Sequence, residues 1–473
     1  MESATIIPII LTSDKTHLSG SGSAKAWPLF ITIGNISNNI RFSPGYQCAQ
    51  LIALIPIIHG DYLTKHIAKM SGIETHHETE EFRHWSRSVV HAVIRDVMAP
   101  IERVMRNGVR MTCADGAERL CFPLLCEYIG DMPEQWLLTC LVQPSCTKCL
   151  YRGTPDANDP RFTRRNAVNK INQDLANNHP RTDTHALEHR VRYRNDESVP
   201  LRALGYHPQI PFSINYPFGT GIIDAVGPDL LHQISKCFMD YLMKEWIWNL
   251  MKITWKGRGF SKAQLKMEFD SRFALIPGYT GLRRFEHGVL TKTHAWTVHE
   301  YKEMMKVILG ALIGLCPSEG IHLVMEYLDV HRLAHYSCHT DESLAWLENA
   351  VDQFFEQLKS ANGPFIKHGL VSPESETQKI HYQRHYANTI HEKGALPSSS
   401  TDRTEPLHKL LKNAWRRSNK GKDSIDFVLK EHMTLAAFQS HIDNFDSGGA
   451  SEDVESDDSK MPGFSLKDRV DVR

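Results

Sequence analysis

Apolar and polar residues change their spacing several times along the chain, and each change marks a different element. Near the start, three apolar runs, Ile6 to Thr12, Trp27 to Gly34 and Ala49 to Ile58, are broken by Ser/Gly-rich and Asn/Pro-containing turns, the pattern of short strands. Their short connections predict antiparallel neighbours. From Glu78 to Asn107 the spacing lengthens: Phe82, Trp85, Val89, Val93 and Ile101 recur at helical intervals, so one long helix is expected to pack on that sheet. Gly108 to Asp115 and Leu120 to Ile129 return to strand texture. Asp131-Met132-Pro133-Glu134 then reads as a helix start, with Asp131 able to cap it and Pro133 tolerated in its first turn. Residues 151–210 are polar, and Arg161, Arg164, Arg165, Lys170, Arg181, Arg190, Arg192 and Arg194 outnumber the acids there. That texture fits a solvated loop region and a phosphate-contacting surface about equally. From Asp229 to about Lys359 the pattern is helical, with aromatic stripes of the kind that fill helix-bundle cores. From Ser447 the tail is acidic and rich in small residues, the composition of a disordered segment.

Composition narrows the class without choosing within it. A chain of 473 residues can bury a large core and is expected to hold more than one structural unit. Its apolar fraction of 41% and charged fraction of 23% exclude whole-chain disorder and collagen-like architectures. The longest apolar runs, Leu51 to Ile58 and Val307 to Cys316, are about half the ~20 residues that a membrane-spanning helix needs. Met1-Glu2-Ser3 places an acid, and no basic residue, before Ile6 to Leu11, which argues against a signal peptide and for an intracellular chain. The ten cysteines are then expected to be mostly buried thiols, with a close pair such as Cys146 and Cys149 a metal candidate before it is a disulfide. A net charge of −1 argues against non-specific coating of nucleic acid and leaves local basic surfaces open.

Three constellations carry possible chemistry. Cys146-Thr147-Lys148-Cys149 is a C-x-x-C knuckle able to fill half of a tetrahedral zinc site, and it needs a second ligand pair. His381-Tyr382-Gln383-Arg384-His385 offers one, two imidazoles four residues apart on one helix face. The metalloprotease form of that motif requires Glu where Tyr382 stands, so that reading fails. Spacing alone cannot show that the two pairs meet. The third set comprises acids at the ends of apolar runs: Asp14 after Leu11-Thr12-Ser13, Asp131 after Leu124 to Ile129, and Glu405 before the Leu407 to Trp415 helix. Each alone is most simply a turn or cap residue. Converging, three carboxylates can hold a pair of Mg²⁺ ions about 3.5–4 Å apart for phosphoryl transfer.

Longer stretches carry a family resemblance. Ile10 to Thr16, Leu29 to Ile36, Gly108 to Gly116, Asp131 to Gln135, Cys146 to Cys149, Pro228 to His232, Pro277 to His287, His339 to Asp341 and Thr404 to His408 occur in the family's order. On these residues the chain resembles the fungal Plavaka transposases, of the CACTA group of DDE transposases, from about Ile7 to Lys420. The resemblance implies an α/β fold, a ribonuclease-H-like catalytic core interrupted by a large, mainly helical insertion. The order of strand, strand, strand, helix, strand, helix is also the opening order of such a core. Residues 1–145 would be the first part of the core, 146–375 the knuckle and insertion, 376–440 the second ligand pair and final core helix, and 441–473 a disordered acidic tail.

The resemblance further implies that Asp14, Asp131 and Glu405 are the catalytic carboxylates, binding Mg²⁺ or Mn²⁺. Asp115 is the rival for the second place, and Asp131 is preferred for its short distance to the knuckle. Cys146, Cys149, His381 and His385 would hold a structural Zn²⁺. The implied reaction is DNA cleavage at an element end followed by attack of the freed 3′-hydroxyl on target DNA, with no membrane partner and with a homodimer on DNA as the working form. The run Arg403, Lys409, Lys412, Arg416, Arg417 and Lys420 could meet the DNA backbone or form a solvated helix face. Nuclear location follows only from that substrate, since Arg416-Arg417-Ser418-Asn419-Lys420 is a poor import signal.

Family members usually carry several hundred residues before the first aspartate, whereas Asp14 lies almost at the start. The expectation is therefore a catalytic region without its end-recognition part. The alternative is a truncated or inactive copy, a zinc-stabilised DNA- or protein-binding relic. A zinc hydrolase using His381 and His385 is a third class, and it requires an open coordination position.

Overall fold

The computed structural model describes residues 4–19, 24–43, 45–58, 80–149, 151, 205–259, 261–290, 296–372, 377–421 and 424–434. The basic stretch from Arg161 to Arg194 and the acidic tail from Ser447 lie outside the described residues. The strands are β1 (Ala4–Ser13), β2 (Thr16–His17), β3 (Lys25–Ala26), β4 (Pro28–Ile33), β5 (Gln50–Leu54), β6 (Val109–Thr112) and β7 (Glu118–Ile129). Five of them form a mixed sheet in the order β5-β4-β1-β7-β6, while β2 and β3 pair separately as a two-residue ladder. β1 runs antiparallel to β4 and parallel to β7; the other neighbours are antiparallel. The parallel pair is made possible by the crossover through the long helix Glu80–Met105.

β1 is central and covered on both faces, which is why it reads as an unbroken apolar run rather than an alternation. Ile9 and Leu11 point to one side, with Trp27, Leu29 and Tyr128, and meet Val90, Ile94 and Met98 of the long helix. Ile10 points to the other, with Phe30 and Ile129, and meets Leu407, Leu411 and Ala414 of the helix Leu407–Arg417. A bulge interrupts the pairing of β1 with β7: Ile9 faces Leu125 but Ile10 faces Glu127, so Cys126 is the extra residue. Beyond it the register runs on to Thr12 opposite Ile129. The bulge therefore sets the phase in which both strands leave the sheet.

A third core is helical. Its buried residues run from Leu230 to Leu396 and include Phe238, Leu242, Trp246, Tyr327, Phe354, Phe365 and Tyr386. The helical texture expected after Asp229 holds, but its first part, Leu231–Ser235 and Phe238–Ile247, is π-helical. Ile234, Phe238, Leu242, Trp246 and Leu250 explain this: a strict repeat of four exceeds 3.6 residues per turn, so the stripe keeps facing the core only in a widened helix. The Tyr327 hydroxyl donates to the Ile234 carbonyl at 2.5 Å inside that core.

Leu411 is fully buried where the helix Leu407–Arg417 meets the sheet. Leu411→Ala should cost about 2–5 kcal/mol through lost burial and the cavity left behind, read as a lower urea midpoint at unchanged slope.

Candidate functional site

Asp14 directly follows β1, and Asp131 follows β7 by two residues. Because Thr12 lies opposite Ile129 on parallel strands, the two acids leave the same end of adjacent strands at matching positions. Asp131 also caps the helix Met132–Leu138, its Oδ1 accepting from the Glu134 N–H at 2.9 Å. Glu405 stands in the turn between the 3₁₀ segment Thr401–Arg403 and the helix Leu407–Arg417 that covers one sheet face. Burial, then Asp131, Glu405 and Asp229, push Asp14 up to about 6 against the opposing field of His232. Burial and the acids Asp402 and Asp229 likewise raise Glu405. The three acids thus share one electrostatic neighbourhood. His408 Nδ1 lies 3.9 Å from Asp14 Oδ2, and burial pushes that imidazole down to about 4. Asp115 lies elsewhere, in the exposed turn before β7, bound by Arg119 Nη1 at 2.7 Å; Asp131 is at the opposite end of that strand.

The acids are joined by a pair that spacing alone did not single out. Asp229 is buried, and its Oδ2 lies 2.5 Å from His232 Nδ1. Its Oδ1 accepts from the Thr401 hydroxyl at 2.8 Å, the Thr401 N–H at 3.1 Å, the Leu231 N–H at 3.2 Å and the Ser400 hydroxyl at 3.3 Å. Burial pushes Asp229 up, but His232 and Thr401 outweigh it and hold the carboxyl below its ordinary range. Burial likewise lowers His232, and Asp229 and Asp131 outweigh it, so the imidazole is raised. The pair fixes the start of the helical unit against the segment that presents Glu405. A D-x-x-H quartet is too short a signal to find it, although it lay inside the matched stretch Pro228 to His232.

The two ligand pairs of the knuckle meet. Cys146, Cys149, His381 and His385 bring their ligand atoms all within 4.8 Å of one another, the one such set among the described residues. Cys149 Sγ is 3.2 Å from His381 Nε2, Cys146 Sγ is 3.4 Å from His385 Nε2, and the two imidazole nitrogens are 3.3 Å apart. A tetrahedral zinc, with its usual ligand lengths, holds such donors roughly 3.3–3.8 Å apart. The set can therefore hold zinc, with four protein donors. The histidines leave the regular helix expected for them: Gln378–His381 tightens into a 3₁₀ turn, Tyr382–His385, before the helix Tyr386–Lys393. The Lys148 and Tyr151 N–H groups donate to the Cys146 and Cys149 sulfurs, both at 3.4 Å, and Tyr151 stacks on His381 with ring centroids 4.0 Å apart.

A polar chain links knuckle and acids. Tyr382, hydrogen-bonded to Thr147, also donates to Gln135 Oε1 at 3.3 Å. Gln135 Nε2 in turn donates to the carbonyls of Gly130 at 2.9 Å and Gly227 at 2.8 Å. Those carbonyls precede Asp131 and Asp229 closely, so one buried amide braces both acidic loops.

Glu134 is a further buried acid beside the site. It accepts from Ser13 and from Trp27 Nε1 at 2.9 Å. Burial, with Asp131 and Asp14, pushes it up to about 8 from an ordinary 4.5, against the opposing effect of those two donors. In the unfolded chain this carboxyl ionises near 4.5, while in the fold it keeps its proton to about 8; stability from this group is therefore lost as pH rises between those values. Glu134→Gln should flatten the decline by about 1 kcal/mol per pH unit between pH 5 and 7, measured by urea unfolding of metal-free protein.

Sequence comparison adds two findings. A family model described as Plavaka transposase matches residues 1–247. No curated protein matches the chain.

Proposed function

The chain belongs to the Plavaka transposase family, and from that premise we propose that it is a DDE-type catalytic region cutting and joining DNA by two-metal phosphoryl transfer. The observation that carries the reading is the placement of Asp14 and Asp131 at matching ends of parallel neighbours, with Glu405 in the same electrostatic neighbourhood. A meander of β1, β4 and β5, followed by a helix, the short edge strand β6 and then β7 parallel to β1, supports a ribonuclease-H-like core. Residues 1–145 and 376–440 would supply that core and its second ligand pair, with 146–375 as the insertion.

Asp14, Asp131 and Glu405 form a hard oxygen donor set whose mutual repulsion a divalent cation would relieve. Mg²⁺ or Mn²⁺, when bound, activates the attacking oxygen and stabilises the leaving one. The chain's own part is placement. The two strand ends fix Asp14 and Asp131, the helix Leu407–Arg417 fixes Glu405, and Asp229 orients His232 beside them so that its other ring nitrogen can reach a phosphate oxygen. Lys409 and Arg416 on the following helix are exposed, and Arg417 pairs with Glu431, so part of that basic face remains for a DNA backbone. The Cys146, Cys149, His381 and His385 site would hold a structural zinc. Four protein donors leave no open position, which counts against a zinc hydrolase. Action on DNA places the protein in the nucleus.

Purified protein should carry one zinc per chain by elemental analysis. Cys149→Ser should lose it and melt on the order of 10 °C lower.

Strand transfer of pre-cleaved ends into plasmid DNA should require Mg²⁺ or Mn²⁺. It should fall more than about a hundredfold in Asp14→Ala, Asp131→Asn and Glu405→Gln, with zinc content unchanged. No product in either metal, with zinc retained, would leave a zinc-stabilised binding relic instead.

A further inference from the structure

A cleft of about 380 Å³ opens beside the acids, lined by Asp131, Pro133, Trp136, His232, Lys236, Tyr241 and Lys379 among others. Its volume lies in the range, roughly 300–1,000 Å³, of clefts that take small ligands. Asp131 and His232 are among its lining. Two ammonium groups also line it: Lys236 is exposed, one turn beyond His232, and Lys379 is half-buried on the short helix that carries His381. Neither has a hydrogen-bond or ion-pair partner among the described residues. Basic groups on neighbouring helices are paired, as Lys302 is with Asp402 at 2.7 Å and Lys306 with Glu303 at 2.6 Å. Two aromatic rings, Trp136 and Tyr241, also face the cleft and are half-buried. The Trp136 ring is held by its Nε1 donation to the Ser145 carbonyl at 2.7 Å, so it is presented rather than mobile.

Unpaired cations, flat apolar faces and the Asp131 carboxylate in one lining together match one ligand chemistry. Phosphate takes the ammonium groups, a base takes the ring faces, and the next phosphate reaches the carboxylates. A duplex does not fit, since a B-form major groove alone is about 12 Å wide. We propose that this cleft seats one unpaired nucleotide adjacent to the scissile phosphate, with its own phosphate on Lys236 and Lys379 and its base against Tyr241 and Trp136. The proposal rests on the reading of Asp14, Asp131 and Glu405 as the acids that act on that phosphate. It adds a requirement for local unpairing of the DNA end, which the acids alone do not impose.

The test uses the full zinc-loaded chain and an oligonucleotide duplex with a short single-stranded flap carrying 2-aminopurine. Binding is followed by anisotropy, stacking by 2-aminopurine quenching. The wild type should quench the probe and bind the flapped DNA more tightly than the blunt duplex. Tyr241→Ala should abolish quenching and weaken binding about tenfold or more. Lys236→Ala with Lys379→Ala should lower the slope of log affinity against log salt by about 0.7, one phosphate of a single strand, while Lys→Arg at both positions restores it. Zinc content and circular dichroism report that each variant is folded. Absence of quenching in the wild type, equal affinity for blunt duplex, or an unchanged salt slope in the folded double variant would overturn the proposal. Strand transfer separates the two readings. Activity that survives Asp14→Ala removes the catalytic assignment, whereas loss in Asp14→Ala alongside unchanged lysine variants removes only the nucleotide seat.

Discussion

Bringing Asp14, Asp131, Asp229 and Glu405 into one neighbourhood is the constraint to which the rest of the structure answers. Like charges at short range repel, and burial strengthens the repulsion by stripping water away. Burial first, and then the neighbouring acids, raise Asp14 to about 6 and Glu134, behind it, to about 8. Such an arrangement relaxes unless its supports are stiffer than the repulsion. The supports here are the central strand β1, packed on both faces, and the parallel strand β7, whose bulge at Cys126 phases its exit with that of β1. A one-residue slip would turn Asp131 to the other side of the sheet.

Two buried groups carry that stiffness into the helical unit. Asp229 gathers Thr401, Ser400 and His232 around one carboxylate, so the first turn of the unit and the lead-in to Glu405 move as one body. Gln135 ties the Gly130 and Gly227 carbonyls to Tyr382, and Tyr382 lies between the two histidines of the knuckle. The Cys/His site therefore does more than close a loop. Holding His381 and His385 against Cys146 and Cys149 also holds Tyr382, and through it the peptides that aim Asp131 and Asp229. A closed, four-donor site suits that role, because its geometry does not change with substrate.

What was legible in the sequence was local. β1 declared itself through consecutive Ile and Leu residues and Asp131 through its place before Met132-Pro133; the long helix was legible as a helix, but the face expected to pack was out of phase, since Trp85 is exposed and Val90, Ile94 and Met98 meet the sheet. The C-x-x-C and H-x-x-x-H pairs were visible as donors, but their meeting depends on a fold that returns residue 381 to residue 149, which no spacing encodes. The two-residue strands β2 and β3 are too short for any period to show. Glu134 looked like an ordinary first-turn acid, and only the packing of Trp27 and Ser13 around it makes it a buried, protonated one. The π-helical stretch was written in the four-residue repeat from Ile234 to Leu250, yet such a repeat reads as an ordinary helix until its packing is known.

Charge arithmetic at the site favours a metal over a general acid or base. Asp229 and His232 neutralise each other, and His408, pushed down to about 4, is uncharged at neutral pH. Asp14, Asp131 and Glu405 then remain with no lysine or arginine in ion-pair contact among the described residues. A neighbouring acid raises a general base's pKa, as Asp131 does for Asp14 on top of burial, but that role needs one neighbour rather than two. Three acids held together without an ion-paired lysine or arginine instead invite positive charge, which the proposed divalent cations would supply without filling the adjoining cleft. Net charge −1 over the whole chain is compatible with this, since the DNA-facing positive charge would be local: the unpaired Lys236 and Lys379 beside the acids and the exposed Lys409 and Arg416 beyond Glu405.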